Sequence, residues 1–159
     1  MEILEYQNKE KFSNGYVTYP YNVIYPYRGK ECNQTFEQID GAISVNGLYS
    51  LVEFKDYSDA SIKVEPLAKL RNILARRHGN VFGMFFSITP YTAPAQIQVQ
   101  FMVPQIIILW SVDDIDYCIE NSKFIECMEW KYKCAIERCE YNLRFSVNQD
   151  SAVKCDPLF

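Results

Sequence analysis

The stretch from Gln38 to Lys55, QIDGAISVNGLYSLVEFK, holds two alternating runs joined by Asn46-Gly47. Asn-Gly is the strongest short signal for a two-residue type I′ turn, because both residues tolerate a positive φ. Such a turn dictates the register of the strands on either side. Val45 faces Leu48, and continuing outward Asp40 faces Glu53 and Gln38 faces Lys55. Side chains two residues apart share a strand face. Gln38, Asp40, Glu53 and Lys55 therefore project to one side, while Ile39, Ile43, Val45, Leu48, Val52 and Phe54 form a core face on the other. A slip of one residue would send Asp40 and Glu53 to opposite faces.

Two carboxylates placed directly opposite each other repel, which disfavours the pairing unless a cation lies between them. A hard divalent ion suits that position. Mg²⁺ accepts one or two carboxylates, keeps several waters and leaves room for phosphate oxygens. Lys55 adds a positive charge beside it, placed to hold a phosphate oxygen or to help orient and deprotonate an attacking water. These are the parts of metal-assisted phosphodiester hydrolysis. The plainer reading of the same residues is a solvated strand face carrying an Asp/Glu–Lys cluster.

Around this hairpin the pattern predicts a short helix over 2–12, ended by Ser-Asn-Gly, and a tyrosine-rich strand, YVTYPYNVIYPY, over 16–27. Its alternating Val17, Tyr19, Tyr21, Val23, Tyr25 and Tyr27 share a face, and Pro20 and Pro26 mark an edge or a bulge. The hairpin spans 36–45 and 48–55. A helix follows over 63–78, stopped by Gly79. The apolar run 81–88 reads as a strand covered on both faces. A helix over 93–102, a buried strand over 105–110 and helices over 112–120 and 123–142 complete the chain. The order predicts an α/β fold of three layers, with a mixed central sheet flanked by helices.

The 159 residues fit one domain, with a core over 16–120 and a C-terminal helix beyond it. The net charge of -4 argues against a general nucleic-acid coat but leaves room for a local basic patch. No apolar run approaches membrane-spanning length, and the charged N-terminus lacks a signal-peptide core, so a cytoplasmic location is expected. The six cysteines include no CxxC pair, and His78 is the sole histidine, so the paired spacing of zinc sites is missing. The cysteines read as small buried hydrophobes.

IDGAISVNGLYSLVEFKDYS resembles the motif of the PD-(D/E)XK nuclease superfamily, with Asp40 as the isolated acid and Glu53-Phe54-Lys55 as the (D/E)xK element. VEPLAKLRNILARRHG, GMFFSITPYTAPA and QIIILWSVDDIDYCIE resemble the continuation found in its Mrr-type branch, so the likeness covers roughly residues 36–120. The resemblance implies a restriction-endonuclease-like fold and a Mg²⁺- or Mn²⁺-dependent endonuclease acting on DNA, in restriction or phage defence. It implies metal binding by Asp40, Glu53 and the backbone carbonyl of Phe54, with Lys55 catalytic. The family commonly adds an acid from the first helix, for which Glu5 and Glu10 are the candidates; Gln38 is a further candidate by its position on the hairpin. Ile39 stands where the family name has proline, and no separate DNA-binding domain of the Mrr type is evident.

Lys63, Lys69, Arg71, Arg76 and Arg77 cluster between the motif strand and Gly79. They read either as an ordinary solvated helix face or as a phosphate-tracking surface beside the site. Ser87, Thr89 and Thr92 follow a buried strand in a loop with access to phosphate. Gln96 and Gln100 share a helix face. The last helix carries two apolar stripes, Ile125, Met128, Tyr132, Ala135, Ile136 and Cys139 on one side and Cys127, Trp130, Cys134 and Tyr141 nearly opposite. Either the C-terminal tail covers the second stripe, or a homodimer forms around Trp130. The alternative to a nuclease is a non-catalytic nucleic-acid or protein-interaction module that keeps the same fold.

Overall fold

The computed structural model describes residues 9–12, 15–18, 21–24, 35–57 and 60–145. Its elements run β1 (Lys9–Phe12), β2 (Gly15–Thr18), β3 (Tyr21–Ile24), β4 (Thr35–Ile39), β5 (Gly41–Val45), β6 (Leu48–Lys55), α1 (Val64–Leu74), β7 (Val81–Ser87), α2 (Ala93–Gln100), β8 (Ile107–Trp110), α3 (Val112–Asn121) and α4 (Phe124–Arg138). A mixed sheet takes the order β1-β2-β5-β6-β7-β8, antiparallel as far as β6 and parallel from β6 to β8. β3 and β4 form a separate antiparallel ribbon.

The turn forms as the dipeptide predicts. Asn46 and Gly47 have φ of 49° and 79°, and the register runs from Val45↔Leu48 to Gly41↔Val52. Two parallel crossovers in one direction place α1 and α2 on the same side of the sheet. The odd-numbered residues of β7 face that side. A Cβ on Gly83 would lie 2.9 Å from Leu70 Cδ2 and from Leu74 Cδ1, so glycine lets α1 approach the strand. α1 buries Leu67, Leu70, Ile73 and Leu74 there, about 1.5–3 kcal/mol for each side chain removed from water. The even-numbered residues meet α4: Phe82 packs on Tyr132, and Phe86 stacks with Phe124. The result is helix, sheet, helix, a three-layer α/β architecture. Local chemistry starts the later helices. Thr92 accepts the Ala95 N–H at α2, and Ser111 and Asp114 form a capping box at α3.

Several expectations are corrected. Residues 9–12 are a strand, not the end of a helix; the rest of that segment lies outside the described residues. The tyrosine-rich run is two strands in two sheets, β2 and β3, and its Tyr19, Pro20, Tyr25, Pro26 and Tyr27 lie outside the described residues. The run 36–45 is also two strands, because the chain bends at Asp40. α1 ends at Leu74, four residues early, and Arg76 and Arg77 continue in i→i+3 turns.

The hairpin faces also differ from expectation. α1 and α2 lie over the side bearing Glu53, which is 3% exposed, whereas Phe54, on the expected core face, is 47% exposed. The aromatic cover supplied by α4 at Phe82 and Phe86 does not extend over Phe54.

At the C-terminal end, α4 belongs to the same hydrophobic cluster as the sheet. Its buried face is Cys127, Met128, Lys131, Cys134 and Ala135. Lys131 donates to Asp114 Oδ2 at 2.9 Å, to Leu109 O at 2.9 Å and to Leu143 O. Asp114 also accepts the Phe145 N–H at 3.0 Å. This fully buried ion pair holds residues 141–145 against β8; the C-terminal tail expected over the second apolar stripe lies outside the described residues. Burial pulls the Lys131 pKa down, against the charge and hydrogen bond of Asp114. Among the described residues no helix is long and apolar enough to cross a membrane.

Candidate active site

A two-residue hairpin makes Val45/Leu48, Ile43/Ser50 and Gly41/Val52 the hydrogen-bonded pairs, so the next would join Ile39 and Phe54. It does not form, because Ile39 pairs with Tyr21 in the other sheet. The Asp40 side chain takes over: its Oδ2 accepts the Phe54 N–H at 2.9 Å. The bend that removes Asp40 from the ladder thus brings its carboxylate onto β6 between Glu53 and Lys55.

Along β6, Glu53 and Lys55 share one face. The Lys55 ammonium lies 2.6 Å from Glu53 Oε1. That oxygen is buried and has no hydrogen bond of good geometry, so the contact is chiefly a charge pairing. Burial of Lys55 works to lower its pKa. The close ion pair with Glu53, with smaller contributions from the charges of Asp40 and Tyr57, outweighs burial and holds it above the ordinary 10.5. The contact thus pairs charges closely while leaving Oε1 short of a directional donor.

The parallel register sets Lys55 beside Ser87, and Glu53 beside Phe85. The site therefore stands at the C-terminal ends of the parallel strands, where ligands of open α/β sheets commonly bind. Ser87 is 1% exposed, and its Oγ donates to Thr89 O at 2.8 Å and accepts the Thr89 N–H at 3.1 Å. The loops after β6 and β7 are laced together, Ile62 N–H donating to Pro90 O and Thr92 N–H to Ile62 O. Thr92 serves as the α2 cap. Gln96 bonds Tyr91 O and Asn142, which gives it a structural role, while Gln100 faces solvent.

The other expected members are not gathered here. Gln38 is exposed on β4 opposite Asn22, since the β5–β6 ladder ends before it. Glu10 pairs with Val17, whose row continues through Ile43 to Ser50. That is three strands across and three residues along from Glu53, a separation of about 17 Å. Glu5 lies outside the described residues. Among the described residues no group of three or more His, Cys, Asp or Glu could hold a metal ion. The donors at the site are two carboxylates, Asp40 and Glu53, and the Phe54 carbonyl. That set fits Mg²⁺, which needs few protein ligands.

The basic residues divide along α1. Lys63 is the N-cap, near the end of β6 that carries the site, and Lys69 and Arg71 are exposed along the helix. Arg76 and Arg77 lie at the far end, before Val81, which pairs with Tyr49. That row is six residues before Lys55, about 20 Å along the strand. Both arginines bind the buried Glu37 carboxylate, Arg76 through Nε and Arg77 through Nη2 at 2.5 Å. They pin the β3–β4 ribbon to the end of α1. Trp130 is half-buried, with Lys133 Nζ 5.8 Å from its ring centre.

Sequence reasoning missed the Glu37 cluster and the Asp114–Lys131 pair. Glu37 stands beside another polar residue, Gln38, and Lys131 falls between the two apolar stripes of α4. A paired buried charge has no sequence signature of its own. In comparisons with known proteins, no family model, no curated protein and no solved structure matches the chain.

Proposed function

We propose that this protein is a metal-dependent nuclease hydrolysing DNA phosphodiester bonds at Asp40, Glu53 and Lys55, on a restriction-endonuclease-like fold. The observation that carries the reading is the Asp40–Phe54 hydrogen bond, which sets one carboxylate against the strand that bears the other and its lysine. Asp40, Glu53 and the Phe54 carbonyl would hold Mg²⁺ or Mn²⁺, which supplies Lewis acidity and a more acidic bound water. The Phe54 N–H orients the Asp40 carboxylate. Lys55, kept protonated by Glu53, binds a non-bridging phosphate oxygen and stabilises charge as it develops there. Exposed Lys63, Lys69 and Arg71 would track the adjoining backbone.

A second reading is favoured by a specific observation. Glu53 already has Lys55 as a counter-charge, and no third carboxylate joins them among the described residues. This arrangement suits a module that keeps the fold and binds nucleic acid or protein without cleaving. Calorimetric titration with Mn²⁺, with and without duplex DNA, separates the two. The nuclease reading expects binding by wild type and its loss in Asp40→Asn. A wild type that binds no metal in either condition overturns it in favour of the module.

A further inference from the structure

We propose that the outer face of α2 is a self-association surface, through which two copies of this chain pair about a two-fold axis. No Asp, Glu, Lys, Arg or His falls between His78 and Asp113. For β7 and β8 burial accounts for this, since Phe82 to Ser87 and Ile107 to Trp110 are buried. Burial does not account for α2. A surface helix ordinarily turns one apolar stripe inward and carries charge on the opposite side. Here Ala95 and Val99 make the inward stripe. Ile97 and Phe101 each lie two residues further on, about 200° around the helix, and are 56% and 71% exposed. Val103, just beyond, is 62% exposed. Ala93, Pro94, Gln98, Gln100 and Pro104 are exposed around them, and all are uncharged.

The chemistry of this face selects its occupant. A partner attracted by charge has nothing to pair with on α2. In a two-fold contact each residue near the axis meets its own copy, so a charged centre would set like against like. The chain carries a net charge of -4, so two copies repel one another over most approaches. An uncharged apolar face is where they meet with the least repulsion. Phe101 supplies an aromatic anchor of the kind that interface centres favour. The adjacent α1 adds exposed charges of both signs, Glu65, Lys69 and Arg71, suited to a polar rim. The size of the face sets the strength of the contact. α2 has 8 residues, a length of about 12 Å. Even with residues 101–104 added, the face falls short of the roughly 800 Å² per partner of a standard interface. The dimer is therefore weak, with a dissociation constant on the order of 10–100 µM.

The test is sedimentation velocity on the full chain over about 5–500 µM, a range that brackets the expected constant. Wild type should pass from monomer to dimer as concentration rises and stop there, because a two-fold contact closes on itself. Phe101→Lys and Ile97→Lys change exposed side chains, so both should melt as wild type does. Each places two like charges across the contact and should remain monomeric over the whole range. A wild type that stays monomeric at the highest concentration overturns the inference. So does a dimer that persists in either folded variant, since it must then form elsewhere, or an assembly that grows past the dimer.

Discussion

Asp40 Oδ2 accepts the backbone N–H of Phe54 at 2.9 Å, so the carboxylate substitutes for the ladder carbonyl lost at the bend between β4 and β5. The same residue ends one sheet pairing and begins the site. Asparagine can keep this hydrogen bond but not the charge. Asp40→Asn should therefore stay within about 0.5 kcal/mol of wild type in urea denaturation, while Asp40→Ala loses about 1 kcal/mol. Equal losses in both would show that the bond contributes little.

Lys55 should stabilise the fold in a pH-dependent way. Its folded pKa lies above 10.5 because of Glu53, so the folded state holds the proton more tightly than the unfolded one. The contribution is fully present below 10.5 and fades as pH rises through the folded value. Lys55→Met, which leaves Glu53 buried beside an apolar side chain, should cost about 1–3 kcal/mol at neutral pH. The gap between wild type and mutant should stay level up to pH 10 or so and narrow above it. A gap that widens with alkali would contradict the assigned pairing.

Arg77 and Lys69 should separate into different roles. Arg77→Ala loses a bond to the buried Glu37 and should lower stability by about 1–2 kcal/mol. Lys69→Ala should leave stability unchanged and, if DNA tracks this face, reduce the salt slope of binding by about one. Fluorescence anisotropy over a salt series reads this directly. A slope altered by Arg77→Ala and not by Lys69→Ala would place the DNA at the other end of α1.

The Asp114–Lys131 pair predicts strong coupling. Asp114→Ala leaves a buried ammonium without its counter-charge and should cost about 3–5 kcal/mol. Lys131→Met with Asp114→Ala should cost less than the sum of the two singles by roughly 1–3 kcal/mol in a double-mutant cycle. Additive losses would mean that the two charges do not stabilise one another.

How much of this was legible in the sequence varies element by element. The hairpin register was, because Asn46-Gly47 demands two positive φ angles and the alternation on both sides then has one solution. The bend at Asp40 was not: Asp40-Gly41 is a turn-type dipeptide, but the hairpin register ran on through it, and the competing partners β2 and β3 split the run. The burial of Glu53 depended on α1 and α2 covering its face, which local pattern does not report. The two stripes read on α4 are the edges of one buried face whose middle is Lys131. Lysine is almost never fully buried unless paired, and its partner stands 17 residues earlier, at Asp114. Arg76 and Arg77 looked like surface charge for the same reason, since Glu37 is about 40 residues away in sequence.

Asp40, Glu53 and Lys55 are proposed to make a metal-dependent nuclease site. The most direct measurement is cleavage of supercoiled plasmid in Mg²⁺ by wild type, Asp40→Asn and Lys55→Met, each first shown to be folded. Wild type should nick and linearise the plasmid, EDTA should abolish cleavage, and both variants should lose it by about 100-fold or more. Cleavage that persists in both variants, or a folded wild type that cuts nothing in Mg²⁺ or Mn²⁺, would rule out a nuclease site at these residues.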